Sequence, residues 1–401
     1  MKHVVVIPDG ATDHPVGELG GLTPLQAAKT PNLHSLAAKG VVGVTHTIPE
    51  GMPPGSDVGN LSVFGYNPAQ HYTGRGPIEA ASMGIPLNSR DVVYRCNLVS
   101  TDGERLLDYS AGHISTEDAR TLIQYLDSKL GGKRFNFYPG VSYRHLVVWR
   151  EGDPNQRCVP PHDIQGQPIR NKLPTGEGEE KLRSLMWDSL ELLDGHEINR
   201  RRRDAGLPPA NMIWLWGQGF ALSLPPFSVQ YGLTGAVVAA VDLVRGIGRL
   251  AGLHVVDVPG ATGYLDTNYL GKGQAAVRAL NQVDLVVVHV EAPDEAGHRG
   301  DYEAKIDAIE RIDGQVIGTL LDGLSQLEGG FRMLVMPDHP TPVDVRTHVA
   351  EPVPFLIYDS TNERSGPLVP FDERALEESK LRIDEAHRVM GAFLRGEERG
   401  A

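Results

Sequence analysis

Three acidic residues stand where predicted β-strands end. Asp9 closes the run HVVVIPDG, Asp294 follows DLVVVHVEAP, and Asp338 follows FRMLVMP. Continuous apolar runs are typical of strands buried on both faces of a parallel sheet, and such sheets bind ligands beyond the carboxyl ends of their strands. Three carboxylates at one edge would repel one another and would each be costly to desolvate. Because bound cations relieve both costs, the pattern predicts a metal centre at this edge.

Histidines accompany two of these carboxylates. His298 comes four residues after Asp294, which places both on one face of a helix that begins there. His339 is adjacent to Asp338, and His348 follows in RTHVAEP. Carboxylate and imidazole together suit Zn²⁺ or Mn²⁺ better than Ca²⁺. Each residue alone has an ordinary explanation as a helix cap, a solvated helix face or a surface histidine, but their combination favours the metal centre.

The stretch GMPPGSDVGN, residues 51–60, holds one serine among two prolines and three glycines. Such a composition predicts a rigid turn rather than the interior of a helix or a central strand. An ordinary surface turn is one explanation for it. If the turn lies at the sheet edge, a divalent cation would lower the pKa of the Ser56 hydroxyl and make it a nucleophile, with backbone N–H groups free to bind an anion.

The elements that must position these residues alternate between helix and strand. Apolar residues recur at helical spacing over 302–324, which predicts an amphipathic crossover helix, and GAVVAAVDLVRGIGRL followed by LHVVDV predicts a helix and then a strand. The expected fold is therefore α/β, a mostly parallel sheet sandwiched by helices. We expect residues 1–88 and 206–401 to form this core domain, and residues 89–205 to form an inserted, smaller α+β domain.

The insert is more polar and less regular than the core. It contains predicted strands at 92–100 and 143–149 and a helix at 116–130 with Thr116 as its N-cap, followed by a loop-rich stretch at 151–181. The glycines of RGIGRLAG lie in or just after a helix, so they are not a dinucleotide-binding turn, and the chain has no Walker A sequence.

Composition narrows the class of protein. The chain has 401 residues and a net charge of −13, which argues against a general nucleic-acid or membrane-surface binder. Its two cysteines, Cys96 and Cys158, form no CxxC pair, so we expect a reduced, cytoplasmic protein without a disulfide framework. The apolar run at the N-terminus is too short for a signal peptide, and no run suits a membrane span. The sequence leaves open whether the chain forms a homo-oligomer.

The motifs resemble those of the alkaline phosphatase superfamily, and more narrowly the archaeal type of cofactor-independent phosphoglycerate mutase. The resemblance rests on PDG, GSDVGN, PDEAGHRGD, PDHPTP and THVAEPVPF, and it extends to LGGLTPLQAAKTPNLHSLAAKG, GRGPIEAASMGI and GLHVVDVPGATGYLDTN. It implies a glycolytic and gluconeogenic isomerase that interconverts 3-phosphoglycerate and 2-phosphoglycerate. The substrate would be this small phosphorylated metabolite, and the inserted domain would close over it as a lid.

The resemblance also implies a set of site residues. Two divalent ions are expected, with Mn²⁺ favoured and Zn²⁺, Co²⁺ or Mg²⁺ as alternatives. Ser56 would be transiently phosphorylated. One ion would be held by Asp9, Ser56, Asp338 and His339, and the other by Asp294, His298 and His348.

Six further residues are candidates for substrate contacts. His113 in DYSAGHIS and Arg144 in GVSYRHLVVW stand in segments similar to those that hold the family's acid/base histidine and a substrate-clamping arginine. Each is otherwise explained as a surface residue. Candidate anion ligands are Asn199 and Arg202 in INRRRRDAG, Arg75 in TGRGP and Lys272 in LGKGQ.

One segment departs from the family pattern. ANMIWLWGQG, residues 210–219, has tryptophan and glutamine where archaeal mutases tend to carry an arginine, and it resembles a bacterial subgroup proposed to act as homoserine kinases. The first alternative is therefore an ATP-dependent transferase acting on a small amino-acid alcohol. A phosphohydrolase would need water to reach the phosphoserine, which a closing lid prevents. A metal-stabilised binding protein without activity is disfavoured by the complete set of seven ligands.

Overall fold

The computed structural model describes residues 1–325, 328–364 and 368–397. The chain separates into two compact units, Met1–Tyr72 with Ser223–Ala401, and Thr73–Leu222. Within the described ranges, no helix combines the length and the apolar character needed to cross a membrane.

The strands and helices follow one another along the chain in both units. The strands are β1 (Lys2–Pro8), β2 (Val41–His46), β3 (Val92–Thr101), β4 (Leu106–Asp108), β5 (Phe135–Tyr138), β6 (Arg144–Trp149), β7 (Met212–Phe220), β8 (Gly235–Val238), β9 (His254–Val256), β10 (Leu285–Val290), β11 (Phe331–Val335), β12 (Val353–Asp359) and β13 (Arg382–Glu385). The α-helices are α1 (Pro24–Ala27), α2 (Pro31–Lys39), α3 (Ser56–Val63), α4 (Pro68–His71), α5 (Arg75–Ser82), α6 (Thr116–Leu130), α7 (Glu179–Asp194), α8 (Glu197–Asp204), α9 (Phe227–Tyr231), α10 (Asp242–Leu250), α11 (Tyr269–Ala279), α12 (Ala292–Arg299), α13 (Tyr302–Arg311), α14 (Gly318–Leu324), α15 (Ala375–Glu378) and α16 (His387–Arg395). Two 3₁₀ turns, Gly17–Leu19 and Pro161–Ile164, and a π-helical segment, Ile312–Ile317, add to them.

The first unit is built on an eight-stranded sheet in the order β13-β2-β12-β11-β1-β10-β8-β9. Strand β12 runs antiparallel to β2 and β11, and the other neighbouring strands pair in parallel. The prediction of an α/β fold with a mostly parallel sheet is confirmed. Strands β1 and β10 are buried almost throughout, because helices pack on both faces of the sheet.

The two faces of β8 show this packing. Ala236 and Val238 share a core cluster with Ala276 of α11 on one face. On the other face, Val237 approaches Gly248 of α10 so closely that a Cβ at position 248 would lie 2.5 Å from its Cγ1. The glycine in this helix serves close helix-to-sheet packing.

The second unit has an antiparallel five-stranded sheet, in which β3 pairs with β4, β6 and β7 and β5 pairs with β6. Its core is formed by buried residues of β3 and β7 with those of α6 and α7. This unit includes more residues at both ends than the expected insert of residues 89–205. Helix α5 belongs to it because it packs on β3 and β7, and β7 belongs to it because it pairs with β3 along most of its length. Its action as a lid stays a prediction.

Most predicted elements are present, and two need correction. The helix predicted across GAVVAAVDLVRGIGRL is wrong in its first part, because Gly235–Val238 forms the buried strand β8 and α10 begins at Asp242. Ser115 rather than Thr116 caps α6, since the Ser115 side chain accepts a hydrogen bond from the backbone N–H of Asp118 at 3.2 Å. The predicted crossover helix at 302–324 is confirmed as α13, the π-helical segment and α14 in succession.

Candidate metal centre and reactive serine

The three carboxylates lie at one edge of the large sheet. Asp9 directly follows β1, Asp338 comes three residues after β11, and Asp294 lies in the first turn of α12 just after β10. Strand β1 pairs in parallel with both β10 and β11, so their carboxyl ends meet. All three side chains are buried. The expected convergence at the strand ends therefore occurs, and the parallel register of these strands is its cause.

His339 stands at the centre of the first group. Its Nε2 lies 3.1 Å from Ser56 Oγ, 3.3 Å from Asp338 Oδ2 and 3.7 Å from Asp9 Oδ1. These four are the residues expected to hold one ion. Asp9 Oδ1 is buried and has no hydrogen-bond partner among the described residues, which is costly unless a ligand is bound.

The second group is formed by Asp294, His298 and His348. Their imidazole Nε2 atoms lie 3.3 Å and 3.4 Å from the Asp294 carboxylate and 3.0 Å from each other. His298 Nδ1 lies 3.1 Å from the carbonyl oxygen of Arg346 and donates its N–H there, which leaves Nε2 to face Asp294 and His348. The His339 and His348 rings are 4.2 Å apart, so the two groups are neighbours.

The charges in this site are unbalanced. Burial, followed by the nearby Asp338, raises the pKa of Asp9 well above its usual range. Burial, followed by Asp294, raises the pKa of Asp338 to about 7. Burial and then His348 lower the pKa of His339, so its imidazole is neutral. Crowded carboxylates beside a neutral imidazole form a donor set that fits a divalent cation.

Asp294 has a different environment. Burial opposes its ionisation, but the hydrogen bonds with His298 and then His348 hold its pKa well below the usual range. Burial lowers the pKa of His298, but the hydrogen bond and charge of Asp294 more than reverse this and raise it to about 9. The negative charge of Asp294 is therefore balanced by a proton on His298, which a bound cation would replace.

Ser56 opens a helix instead of lying within a turn. The rigid turn predicted for residues 51–60 ends at Gly55, and Ser56 is the first residue of the eight-residue helix α3. Helix N-termini carry unpaired N–H groups and attract anions. Three residues on, Gly59 lies against the Asp338 backbone, and a Cβ there would clash with the Asp338 carbonyl oxygen. This close approach brings the serine to the carboxylates.

Sequence reasoning missed three buried residues that contact these carboxylates. His289 Nε2 lies 2.7 Å from Asp9 Oδ2, Asn60 Nδ2 donates to Asp338 Oδ2 at 2.7 Å, and Thr341 Oγ1 donates to Asp294 Oδ1 at 2.5 Å. Each stands inside a motif that drew attention for another residue. For His289 a signal was present, because it is a polar residue within the otherwise apolar run LVVVHV. His289 and Glu291 also group with Asp9 as potential ligand atoms.

Three of the expected substrate residues lie in the second unit with their side chains at least partly exposed. His113 is exposed, adopts a positive φ of 49° and packs edge-on against the Tyr143 ring. Arg144 is also exposed and stands over the same ring. Arg75 was expected in a loop, but it is the first residue of α5 and pairs with Glu79 at 3.1 Å.

The other three expected substrate residues are occupied elsewhere. Asn199 is fully buried, and its amide bonds with the backbone of Leu193 and Ala210. Arg202 donates to the carbonyl oxygens of Pro208 and Ala111. The structure thus gives them no support as anion ligands, because both side chains are buried and bond to backbone carbonyl groups.

Lys272 was expected in a glycine-flanked loop, but it lies within α11 and is fully buried. Its ammonium group donates to the carbonyl oxygen of His289 at 3.0 Å. Burial lowers its pKa to about 8. This hydrogen bond connects α11 to β10. The buried position of Lys272 gives no support to a substrate contact.

The unusual tryptophan and glutamine of residues 210–219 lie in β7. The Trp216 ring stacks under the Arg95 guanidinium at 4.1 Å, and its Nε1–H donates to Asn97 Oδ1 at 3.0 Å. Gln218 donates to the carbonyl oxygens of Pro154 and Gln156. Trp216 thus bonds within the five-stranded sheet, and Gln218 connects β7 to the loop that contains Pro154 and Gln156.

The sheet topology and this buried group of carboxylates, imidazoles and serine define an α/β enzyme with a candidate metal centre at its strand ends. A solved protein from Pyrococcus horikoshii is similar to it, with a TM-score of 0.83 and 30% identity over 98% of this chain and 96% of that one. The cofactor-independent phosphoglycerate mutase from Thermoplasma acidophilum matches with a TM-score of 0.67 and 27% identity, covering 98% and 99% of the two chains.

Sequence relatives identify the family. The 2,3-bisphosphoglycerate-independent phosphoglycerate mutases of Methanosarcina barkeri and Methanothrix thermoacetophila are 48% and 52% identical to this chain, covering 98% and 90% of it and 100% and 91% of their own lengths. The model of the 2,3-bisphosphoglycerate-independent phosphoglycerate mutase family matches residues 37–199. The chain belongs to this family, and it is an isomerase. These relatives give no support to the homoserine kinase alternative.

Proposed function

We propose that the protein interconverts 3-phosphoglycerate and 2-phosphoglycerate through a phosphoserine on Ser56, without ATP or a bisphosphoglycerate cofactor. One observation carries this proposal. The Ser56 hydroxyl stands at the N-terminus of α3, 3.1 Å from His339 Nε2, among buried carboxylates and imidazoles at the strand ends. A hydroxyl in that position is suited to attack a phosphoryl group whose oxygens meet backbone N–H groups.

Two divalent cations belong to this proposal. Asp9, Ser56, Asp338 and His339 would hold one, and Asp294, His298 and His348 the other, in line with the distances within each group. When bound, such ions lower the pKa of the serine hydroxyl and offset charge on the phosphoryl oxygens. Mn²⁺ is the first ion to test, followed by Zn²⁺, Co²⁺ and Mg²⁺.

The reaction consists of two phosphoryl transfers. Ser56 Oγ forms a bond to phosphorus as the bond from phosphorus to the glycerate oxygen breaks, which leaves phosphoserine and bound glycerate. Glycerate then reorients, and its other hydroxyl takes the phosphoryl group back from Ser56. We assign the proton transfers on the glycerate hydroxyls to His113, and contacts to the substrate anion to Arg144 and Arg75.

The second unit, Thr73–Leu222, would serve as the lid of this reaction. Water that reached the phosphoserine would hydrolyse it and convert the mutase into a phosphatase, so the site must exclude water while glycerate turns. The product of this isomerisation is a small phosphorylated metabolite of glycolysis and gluconeogenesis. The reduced cysteines expected from the sequence suit a cytoplasmic setting for that pathway.

The test is a mutase assay without ATP. Purified protein, Mn²⁺ and 3-phosphoglycerate are mixed, and formation of 2-phosphoglycerate is followed by coupling to enolase. We expect turnover in the absence of ATP and bisphosphoglycerate. Release of inorganic phosphate in place of 2-phosphoglycerate, or no reaction by protein shown to contain its metal, would overturn the proposal.

A further inference from the structure

Thr341 lies between the two groups of candidate ligands and is itself in neither. Its Oγ1 donates a hydrogen bond to Asp294 Oδ1 at 2.5 Å, and the same oxygen lies 3.2 Å from His339 Nδ1. Asp294 belongs to one proposed cation site and His339 to the other. A single buried hydroxyl therefore contacts one ligand of each site.

The two contacts have complementary directions. A hydroxyl has one proton, and Thr341 gives it to the carboxylate, which can only accept. The Oγ1 lone pairs then remain to accept from His339 Nδ1–H. With its proton on Nδ1, the imidazole carries its lone pair on Nε2, the atom that faces Ser56, Asp9 and Asp338.

The surrounding structure holds Thr341 in place from several directions. Its carbonyl oxygen accepts from the buried ammonium of Lys305 at 2.9 Å, and its N–H donates to the Thr12 carbonyl oxygen at 3.3 Å. Two glycines leave room for its side chain. A Cβ at Gly10 would lie 2.6 Å from Thr341 Oγ1, and a Cβ at Gly297 would lie 2.9 Å from its Cγ2.

We infer that Thr341 is a positioning residue that orients ligands of both cation sites at once, by fixing the Asp294 carboxylate and by holding His339 in its Nδ1–H tautomer. The inference rests on the two-cation centre of the proposed function. Hydrogen bonds of this kind to metal ligands change metal affinity by roughly 10-fold to 100-fold when they are lost.

The test uses a matched pair of variants. Thr341→Val keeps the branched shape and loses both hydrogen bonds, whereas Thr341→Ser keeps the hydroxyl. Metal-free protein is titrated with Mn²⁺ in a calorimeter, and the Tm of the metal-free protein is recorded alongside. We expect wild-type protein to bind two ions, Thr341→Val to bind both at least tenfold more weakly, and Thr341→Ser to stay within about threefold of wild type.

Other outcomes separate the possible failures. Unchanged Mn²⁺ affinity in Thr341→Val, with or without a lower Tm, would reduce Thr341 to a packing residue and overturn the inference. Weakening of one ion alone would overturn the shared role. A wild-type protein that binds no Mn²⁺ would instead remove the metal centre of the proposed function, and this inference with it.

A second measurement does not depend on the folding of the two Thr341 variants. Two-dimensional proton–nitrogen spectra of metal-free wild-type protein report the tautomer of each histidine ring, and loss of one set of signals in His339→Gln assigns that residue. We expect His339 with its proton on Nδ1. A proton on Nε2 would contradict the proposed direction of the hydrogen bond and overturn the inference.

Discussion

Ser56 Oγ and His339 Nε2 lie 3.1 Å apart, although the two residues are separated by 283 positions in the chain. Ser56 is the first residue of helix α3, and His339 lies in the loop after β11. The glycine at position 59 permits the approach, because it leaves the Asp338 carbonyl oxygen room beside the helix. The proposed nucleophile is thus placed by backbone packing, and its hydroxyl contributes little to that packing.

The first prediction concerns Ser56→Ala. We expect mutase turnover to fall by at least about four orders of magnitude, because the proposed reaction passes the phosphoryl group through the Ser56 Oγ. The Tm should change by no more than a few degrees, since the backbone of α3 does not depend on Oγ. Steady-state assay and thermal unfolding measure the two effects. Substantial turnover in this variant would rule out a covalent intermediate on Ser56.

The second prediction concerns removal of the metal. Dialysis against EDTA, followed by removal of the chelator, should abolish activity, and Mn²⁺ should restore it, because in the proposed reaction the cations lower the pKa of the Ser56 hydroxyl and offset charge on the phosphoryl oxygens. Direct ³¹P spectroscopy of the two phosphoglycerates is the measurement, since a coupling enzyme can have its own need for a divalent ion. Full activity in protein shown to be metal-free would exclude a catalytic role for the site.

The third prediction concerns the buried pair of Lys305 and Asp13, whose charged atoms lie 2.5 Å apart. Removing one partner leaves a buried charge without its counterion, so Lys305→Met and Asp13→Asn should each lower the free energy of unfolding by about 3–5 kcal/mol. The double variant should be more stable than the sum of the two losses predicts. Urea unfolding of all four proteins measures this coupling. Additive losses would mean that the pair does not act as a unit.

The sequence predicted well which carboxylates and histidines meet at the edge of the large sheet, because the signals there are local. An apolar run that ends in an acidic residue marks a buried strand and its carboxyl end, and the DxxxH spacing of Asp294 and His298 marks one face of a helix. The seven predicted ligands are brought together as a result. Their neighbours Asn60, His289 and Thr341 were missed because their contacts join distant segments, and no local spacing marks such a hydrogen bond.

For the anion ligands predicted in INRRRRDAG, by contrast, the local sequence signal was misleading. Four consecutive arginines, 200–203, indicate a basic stretch, but the helical direction of each side chain decides its role. Arg202 turns inward and bonds to backbone carbonyls, while Arg201 pairs with Asp118 and Arg203 with Asp194. The positive charge of an arginine does not show whether its side chain binds a substrate anion or donates hydrogen bonds to the protein's own backbone.

The fourth prediction concerns pH and Glu373. Burial raises the pKa of this carboxyl from its ordinary value of 4.5 to about 7, while Thr23 and the Asp13 backbone N–H donate to it. Below pH 4.5 the Glu373 carboxyl is protonated in both the folded and the unfolded chain, so its burial does not lower the free energy of unfolding. Between pH 4.5 and 7 the unfolded chain loses its proton first, so the stability of the fold declines as pH rises.

Glu373→Gln should therefore gain stability relative to wild type between pH 4.5 and pH 8, by at most about 3.5 kcal/mol at roughly 1.4 kcal/mol per pKa unit. Thermal unfolding at the two pH values provides the comparison. Glu377→Gln, at an exposed position of the neighbouring helix α15, is the control and should show no such pH dependence. An advantage of Glu373→Gln that is equal at both pH values would contradict the raised pKa.

The fifth prediction tests how closely α3 must approach the loop after β11. In Gly59→Ala the new Cβ would clash with the Asp338 carbonyl oxygen, a backbone atom that cannot move without displacing Asp338 and His339. We expect activity to fall at least tenfold and the affinity for Mn²⁺ to fall with it. Gly314→Ala is the matched control, because this exposed helical glycine has open space at the Cβ position and should become slightly more stable. If Gly59→Ala bound Mn²⁺ and turned over as wild type does, the distance between Ser56 and His339 would have to be set by something other than the packing of α3 against the Asp338 backbone.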